Sequence, residues 1–438
     1  MLKTKTWFGG GIHPHDSKHY TKSLPIQNAD IPARAVIPII QHIGGPAEIC
    51  VEIGQVVAEC DIIAKATGYV STNIHASIPG KVVEIRDIYV YNGLKSQAVV
   101  IEMSGEFNKS GKVLENIDWL SLTKKEMLDK IQEKGVVGLG GATFPTHVKL
   151  NVPEEKKIDT LIINGAECEP FLTCDYRLML DKAEELLLGV SIIQKILEVE
   201  NVVVGIENNK MDCIQKLSAL CLEQYAFQIV PLKVKYPQGD EKQLIRSILN
   251  RNVPDGGLPM DIGVVVCNIG TVLAVKEAIV NNKSLIDRVV TISGSGIKSP
   301  KNLKAKIGTP ISVLIDECGG LKDETEKIIV GGPMMGFTQM DTSCPVTKGC
   351  SGILAFTKKE LRIYKSKAVC ISCGRCINAC PFGLEPTRLF KFVENKLYQE
   401  AQDHYLKSCK ECGCCSYVCP ARIPLVQYMR LGKAMLPR

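Results

Sequence analysis

Eight cysteines near the C-terminus form two copies of one spacing, C-x2-C-x2-C-x3-C, each followed by proline. The first copy is Cys370, Cys373, Cys376 and Cys380, and the second is Cys409, Cys412, Cys415 and Cys419. This run wraps cubane iron–sulfur clusters, and when two runs occur together the last cysteine of each ligates the other run's cluster. The spacing therefore predicts two [4Fe-4S] clusters, one on Cys370, Cys373, Cys376 and Cys419 and the other on Cys409, Cys412, Cys415 and Cys380.

Structural zinc is the alternative, because paired CxxC motifs also bind zinc. Zinc gives no reason for the third cysteine, the fourth one three residues later, or the proline, all of them repeated. The same run is typical of bacterial ferredoxins, so we expect a domain that carries single electrons. A few dozen residues per cluster build little apolar core, and ligation should therefore drive the folding of this part.

A second candidate site is the glycine-rich stretch from Gly135 to Leu150. Successive glycines let backbone amides approach an anionic or planar ligand that side chains would block. Polar residues at 164–170, 236–244 and 267–271 follow predicted strands of the same region. The carboxyl ends of parallel strands bring such segments together around a ligand. The stretch is neither a Walker loop nor a full Rossmann fingerprint, and the polar residues could simply cap helices and strand ends.

The elements that position these residues fall into four segments. Short β-branched runs between Gly and Pro predict a small all-β unit within residues 36–102. From 119 to 281, buried strands alternate with amphipathic helices, which is the pattern of a parallel sheet covered by helices. Residues 288–336 return to β-rich sequence, and the cysteine runs follow from about 365, separated by helical segments.

Composition and charge exclude several classes of function. The 438 residues suggest about three domains, and the net charge of +6 with no arginine-rich run argues against nucleic acid as a partner. Nineteen cysteines without a secretory signal point to a reducing compartment and metal ligation. The most apolar stretch, Ile262 to Val275, is interrupted by Asn268 and Gly270 and is too short to span a membrane. We therefore expect a soluble or peripheral protein in the cytoplasm.

The order of the motifs resembles the RnfC family, a component of the Rnf complex, which is the membrane-bound, ion-translocating ferredoxin:NAD oxidoreductase. The similarity extends from about Phe8 to Ala421. The motifs that carry it are GGIHP, QHIGGPA, HASIPGKV, GLGGATFPTHVKL, NGAECEP, YPQGDEKQL, VPDGGLP, VVVCNIGT, GGPMMG, PVTKG and the two cysteine runs.

This resemblance implies a multidomain α/β plus β fold. The expected domains are an N-terminal barrel-sandwich β domain at 1–110, a Rossmann-like FMN/NADH-binding α/β domain at 119–282, a small ubiquitin-like β-grasp module of the SLBB type at 283–345, and a two-cluster ferredoxin-like α domain at 360–430.

The middle domain is also similar to the NADH-binding flavoprotein subunit of respiratory complex I. That similarity implies that FMN is held by Gly138, Gly140, Gly141, Phe144, Asn164, Tyr236, Gly239 and Asn268. NADH would stack on the flavin near Lys149, Glu241, Glu167 and Glu169, the last two being the candidate catalytic residues. Ala166 stands where the complex I flavoprotein has an acid, so one expected contact to the ribityl chain is missing.

The implied function is that of an NADH-docking electron-transfer subunit, peripheral on the cytoplasmic face of the membrane. It would be part of an ion-translocating NADH:ferredoxin oxidoreductase, with the other Rnf subunits as partners and ferredoxin reached through the complex. Two alternatives stay open: a soluble relative that delivers NADH electrons to a dedicated reductase such as proline reductase, and a cluster-only relay with a vestigial flavin site. Four further cysteines are expected to be small buried fillers, although Cys414 could replace its neighbour Cys415; they are Cys174, Cys344, Cys350 and Cys414.

The cysteine pattern generates a first prediction. Nicotinamide exchanges electrons in pairs and a cubane cluster passes one at a time, and a flavin between them can do both. Cys373→Ala should leave the reduction of flavin by NADH intact and stop electron transfer to a one-electron acceptor, both followed by anaerobic stopped-flow absorbance. An undiminished rate of acceptor reduction in this variant would contradict the proposed route.

Overall fold

The structure is a computed structural model that describes residues 4–5, 8–107, 115–361 and 369–437. The parts of the expected barrel-sandwich and ferredoxin domains that fall on 1–3, 6–7, 108–110 and 362–368 lie outside the described residues.

The N-terminal part is built from short strands, as its β-branched runs predict. The strands are β1 (Ile26–Asn28), β2 (Arg34–Pro38), β3 (Glu48–Ile49), β4 (Val56–Val57), β5 (Ile62–Lys65), β6 (Ile74–His75), β7 (Gly80–Tyr89) and β8 (Lys95–Met103). Two antiparallel sheets result, with the strand orders β2-β8-β7-β4 and β3-β5-β6. Ile37, Ile63 and Ile101 are fully buried in the core of this barrel sandwich.

The middle domain alternates strands and helices. Its elements are α1 (Lys124–Glu133), α2 (Thr146–Leu150), β9 (Thr160–Gly165), α3 (Cys174–Asp181), α4 (Ala183–Leu197), β10 (Asn201–Glu207), α5 (Met211–Gln224), β11 (Gln228–Leu232), α6 (Glu241–Leu249), β12 (Val264–Asn268) and α7 (Ile269–Val280). The four strands form one parallel sheet in the order β11-β10-β9-β12. The sequence predicts three of these four strands. It does not predict β11, because Pro231 lies within it and proline argues against a strand; the structure accommodates this proline because β11 is at the edge of the sheet.

The β-grasp module follows with β13 (Asp287–Ser293), β14 (Lys301–Lys306), α8 (Ile311–Glu317), β15 (Thr325–Val330), β16 (Phe337–Gln339) and β17 (Gly352–Thr357). Its six-stranded sheet has the order β1-β14-β13-β17-β15-β16. Two of these strands come from outside the expected segment 283–345. The apolar strand β17 pairs with β13 and β15 in the middle of the sheet, and β1 joins from the N-terminal part, parallel to β14.

The C-terminal part is helical, with α9 (Arg375–Ala379), α10 (Pro386–Glu394), α11 (Tyr398–Asp403), α12 (Cys414–Tyr417) and α13 (Leu425–Met435). The two cysteine runs have the same local structure. Gly374 and Gly413 both have positive φ, 72° and 84°, and immediately precede the short helices α9 and α12. A left-handed residue at this position turns the chain back on itself, which glycine does without strain.

Buried charges join three of the domains. Lys306 of the β-grasp module lies 2.7 Å from Glu59 of the barrel sandwich, and both side chains are buried. Lys283 lies 2.9 Å from Asp287 of the β-grasp module and 2.9 Å from Glu277 of the α/β domain. Burial alone would raise the pKa of Asp287, but Lys283 and the neighbouring lysines outweigh it and hold this pKa well below its usual range.

Removing this carboxylate should therefore destabilise the protein. Asp287→Asn is expected to lower the free energy of unfolding by about 3 kcal/mol, because it removes one of the carboxylates that balance the buried ammonium groups of Lys283 and Lys306. The depressed pKa keeps Asp287 ionised above about pH 5, so urea unfolding should give the same difference at pH 6 and pH 8. Glu326→Gln, which removes an exposed partner of Lys358, is the control and should change stability by less than about 1 kcal/mol. Equal effects of the two substitutions would contradict this assignment.

Candidate flavin and cluster sites

The glycine loop packs on the N-terminus of helix α7. The amide of Leu139 donates to Oγ1 of Thr271 at 2.8 Å. Asn268 caps the helix, its Oδ1 accepting from the amide of Gly270 at 2.9 Å. A Cβ at Gly140 would lie 3.3 Å from Cβ of Asn268, so this close approach favours glycine. The positive end of the helix dipole is thereby placed beside the loop.

The outer face of the loop is open. The amide of Gly138 closes the loop on the carbonyl of Phe144 at 2.9 Å. Gly140 and Gly141 are exposed, and a Cβ at Gly141 would meet nothing within 4 Å. Within the described part of the chain, the amides of these two glycines donate no hydrogen bond. Unpaired amides beside a helix N-terminus suit an anionic, partly planar group such as FMN, so the residues present fit this cofactor.

Two asparagines stand side by side at the carboxyl ends of neighbouring strands. Asn164 of β9 and Asn268 of β12 are paired in register. Nδ2 of Asn164 donates to the carbonyl of Gly239 at 2.8 Å. Nδ2 of Asn268 donates to Asp175 at 2.6 Å. The strand ends therefore bring these predicted site residues together with the glycine loop.

Lys149 and Glu241 form an ion pair on the same side of the domain. Nζ of Lys149 lies 2.7 Å from Oε1 of Glu241, and both side chains are about one-third exposed. Burial alone would lower the pKa of Lys149, but Glu241 outweighs it and raises this pKa, so the lysine remains a cation. The ammonium group of Lys149 can contact an anionic group of a ligand, and the carboxylate of Glu241 can contact a cationic one.

The carboxylates of Glu167 and Asp175 lie close together in the interior of the protein. The Glu167 carboxylate accepts from the amide of Asp175 at 2.7 Å and lies 3.6 Å from Nζ of Lys18. Burial, helped by the charge of Glu167, raises the pKa of Asp175 to about 7. Asp175 can therefore hold a proton near neutral pH. Sequence reasoning misses this residue, since nothing near it in the chain marks it as part of a site.

Glu169 has a different environment from Glu167. Its carboxylate accepts from the amides of Met334 and Met335, both at 3.0 Å, in the GGPMMG loop of the β-grasp module. A Cβ at Gly332 would lie 2.3 Å from the Glu169 carboxyl carbon, so the contact depends on that glycine. Burial raises the pKa of Glu169 to about 7. Glu169 thus ties two domains together, and the catalytic roles of Glu169 and Glu167 stay predictions.

Tyr236 lies between the flavin domain and the second cysteine run. Its side chain is buried, and its hydroxyl donates to the carbonyl of Cys412 at 2.7 Å. Its backbone exchanges two hydrogen bonds with Ile12 at 2.9 Å. The contact of Tyr236 with FMN stays a prediction, because the hydroxyl is directed to the cysteine run.

One cavity is lined by Cys414 and by four cysteines of the two runs, which are Cys380, Cys409, Cys412 and Cys415. This is the set that the spacing predicts for the second cluster. Leu384, Leu389 and Met429 complete an apolar wall. The amides of Leu384 and Glu411 donate to the sulfurs of Cys380 and Cys409 at 3.4 Å, the kind of bond that stabilises cluster thiolates. The donors therefore fit a cubane cluster, although ligation itself stays a prediction.

The first run repeats this local geometry at the surface. The amide of Ser372 donates to the sulfur of Cys370 at 3.4 Å, as Glu411 does to Cys409. Cys373 is exposed and Cys376 is buried. The thiols Cys174, Cys344, Cys350 and Cys414 are all buried, and their role as fillers stays a prediction. Cys414 also lines the cavity of the second run, and its sulfur lies 4.0 Å from the carbonyl of Tyr236.

Family models match four parts of the chain. They are the RnfC barrel sandwich hybrid domain at residues 6–106, the Nuo51 FMN-binding domain at 131–277, the SLBB domain at 289–338 and the 4Fe-4S dicluster domain at 366–423. The fold class predicted from the sequence is confirmed. The chain has the domains of a flavin- and iron–sulfur-dependent electron-transfer protein.

Sequence identity to characterised proteins shows the family to which the chain belongs. The chain is 49% identical over 436 residues to the C subunit of the proton-translocating ferredoxin:NAD(+) oxidoreductase complex of Clostridium ljungdahlii, covering 99% of this chain and 94% of that protein. It is 40% identical to the Na(+)-translocating counterpart of Acetobacterium woodii, covering 97% and 96%. The C subunit of the ion-translocating oxidoreductase complex of Rhodobacter capsulatus is 41% identical, covering 98% and 82%. The chain belongs to this family, the RnfC proteins of the Rnf complexes.

A solved structure shares the fold. The NAD+-reducing [NiFe]-hydrogenase in its H2-reduced state matches with a TM-score of 0.51 at 17% identity, covering 72% of this chain and 63% of that one. Among the described residues, no helix has the length and apolar character that crossing a bilayer requires.

The open glycine loop generates a prediction about flavin. Gly140→Val places a branched side chain against Asn268 and over the free amides, and should weaken FMN binding at least tenfold, about 1.4 kcal/mol. Fluorescence titration of the flavin-free protein with FMN measures the change, and iron analysis shows whether the clusters are retained. Gly68→Val is the control, because Gly68 is exposed with nothing within 4 Å of an added Cβ. Equal FMN affinity in the two variants would remove the loop from the flavin site.

Proposed function

We propose that this chain takes electrons from NADH at the glycine loop and passes them through two [4Fe-4S] clusters to other subunits of an Rnf complex. Ferredoxin is the partner of the whole complex, and the chain lies peripherally on the cytoplasmic face of the membrane. Support comes from the names of the relatives, ion-translocating ferredoxin:NAD(+) oxidoreductases, together with the FMN-binding and dicluster domains.

The residues of the α/β domain have distinct tasks in this proposal. FMN, when bound, exchanges electron pairs with nicotinamide and single electrons with a cluster. The amides of Gly140 and Gly141 and the N-terminus of α7 would hold its anionic part, with Asn164 and Asn268 beside it. Because the pKa of Asp175 is about 7, this acid is partly neutral at physiological pH and repels an anionic dinucleotide less than a carboxylate would.

One observation carries the electron route: the second cysteine run lies directly on the flavin domain. Tyr236 donates to the carbonyl of Cys412 at 2.7 Å. Nε2 of Gln243, in α6, donates at 3.0 Å to the carbonyl of Pro381, the neighbour of Cys380, which is the first-run cysteine predicted to ligate the same cluster. The route therefore leads from the flavin site to the cluster of Cys380, Cys409, Cys412 and Cys415, and only then to the other cluster.

This order predicts opposite effects for the two cysteine runs. Cys412→Ala should prevent NADH from reducing the remaining cluster while the flavin is still reduced. Cys373→Ala, its matched control, should leave the second cluster reducible by NADH. Electron paramagnetic resonance after anaerobic addition of NADH distinguishes the two cases. Rapid reduction of the remaining cluster in Cys412→Ala would show that the order is reversed or that the clusters receive electrons independently.

A further inference from the structure

The two cysteine runs differ in how much of them other domains cover. The second run is enclosed by Tyr236 and by the β-grasp loop, since a Cβ at Gly413 would lie 3.0 Å from the carbonyl of Met334. The first run presents apolar side chains to solvent. Val369 is 88% exposed, Ile371 67% and Ile377 40%.

Tyr417, two residues before Cys419, is 55% exposed and belongs to α12, which packs against α9 of the first run. Cys419 is the fourth predicted ligand of the first cluster. Exposed apolar groups that cluster around a site are a mark of a protein interaction surface. Cys373 itself is exposed within this group, so a partner there would come close to the cluster.

The charged side chains of this surface are arginines. Segments 369–379 and 416–423 contain Arg375 and Arg422 and neither Asp nor Glu. Among the described residues, Arg375 forms no ion pair. The described C-terminal domain, residues 369–437, has nine Lys and Arg against five Asp and Glu. Two of those acids are engaged inside the domain, Glu411 by Arg430 and Lys433 and Glu385 by Arg388.

We propose that this exit face, defined by Val369, Ile371, Arg375, Ile377 and Tyr417, docks an acidic protein that carries an exposed one-electron centre. The inference rests on the proposed function, because it supplies the place where electrons leave the chain. A cubane cluster passes single electrons, so the partner must accept them singly. The apolar centre excludes water, and the positive charge orients an acidic partner as it approaches.

The test uses the full chain with its clusters, reduced by dithionite and freed of excess reductant. It is mixed anaerobically in a stopped-flow instrument with cytochrome b5, an acidic one-electron protein, or with cytochrome c, a basic one. At low ionic strength Arg375→Glu should slow the reduction of cytochrome b5 roughly tenfold and accelerate that of cytochrome c. Both differences should vanish near 0.5 M salt, where the Debye length is about 4 Å.

Lys391→Glu is the matched control, since Lys391 is an exposed lysine of the same domain on α10. It should change the cytochrome b5 rate less than twofold. Iron analysis is made on every variant, and if Arg375→Glu loses iron, Tyr417→Glu replaces it in the same comparison. Equal slowing by the face and control substitutions, or a cytochrome b5 rate that does not depend on salt, would overturn the proposal.

Two other occupants are tested in parallel. Arg375-dependent sedimentation with phosphatidylglycerol vesicles, with an unchanged cytochrome b5 rate, would assign the face to a membrane instead. Arg375-dependent dimerisation in gel filtration would assign it to a second copy. Because dithionite loads the clusters directly, a failure of NADH to reduce them would contradict the proposed function and leave this test of the exit face intact.

Discussion

The contact between the second cysteine run and the flavin domain determines how the rest of the molecule is arranged. Single electrons cross from a flavin site to a cluster only if the two are held close together. The Tyr236 hydroxyl on the Cys412 carbonyl fixes one side of the run. At the end of the first run, Gly10 approaches Cys380, the fourth predicted ligand of the same cluster, so closely that a Cβ there would lie 2.5 Å from the Cys380 carbonyl oxygen. The backbone around the cluster thus has little freedom to move away.

The β-grasp module and the N-terminal segment stabilise the contact between the second cysteine run and the flavin domain. The Met334–Met335 peptide region is held from one side by Glu169 of the flavin domain and from the other by Arg430, which donates to the Met335 carbonyl at 3.1 Å. Strand β1 adds the N-terminal segment to the β-grasp sheet. This explains why a module without predicted cofactor ligands lies between the flavin domain and the cysteine runs in the chain.

The candidate site residues that the sequence indicates are those whose chemistry depends on local spacing. The structure places the cysteines predicted for the second cluster around one cavity and pairs Asn164 with Asn268 at neighbouring strand ends. The sequence places Glu169 beside NADH, but its contacts are with Met334 and Met335, about 165 positions away, and no local pattern predicts a contact of that kind. The sequence does not predict Asp175 as a site residue, because its raised pKa depends on its burial beside Glu167 in the folded protein. Strand β17 falls outside the predicted β-grasp module because its pairing partners are distant in sequence.

The central claim is that NADH electrons enter at the glycine loop and reach the clusters within this chain. Anaerobic addition of NADH to the FMN-reconstituted protein, with flavin and cluster absorbance followed together, tests it most directly. The account predicts that both chromophores bleach, with iron near eight atoms per chain, as two four-iron clusters require. Clusters that assemble but stay oxidised, with no flavin retained, would contradict it and place the nicotinamide site on another subunit.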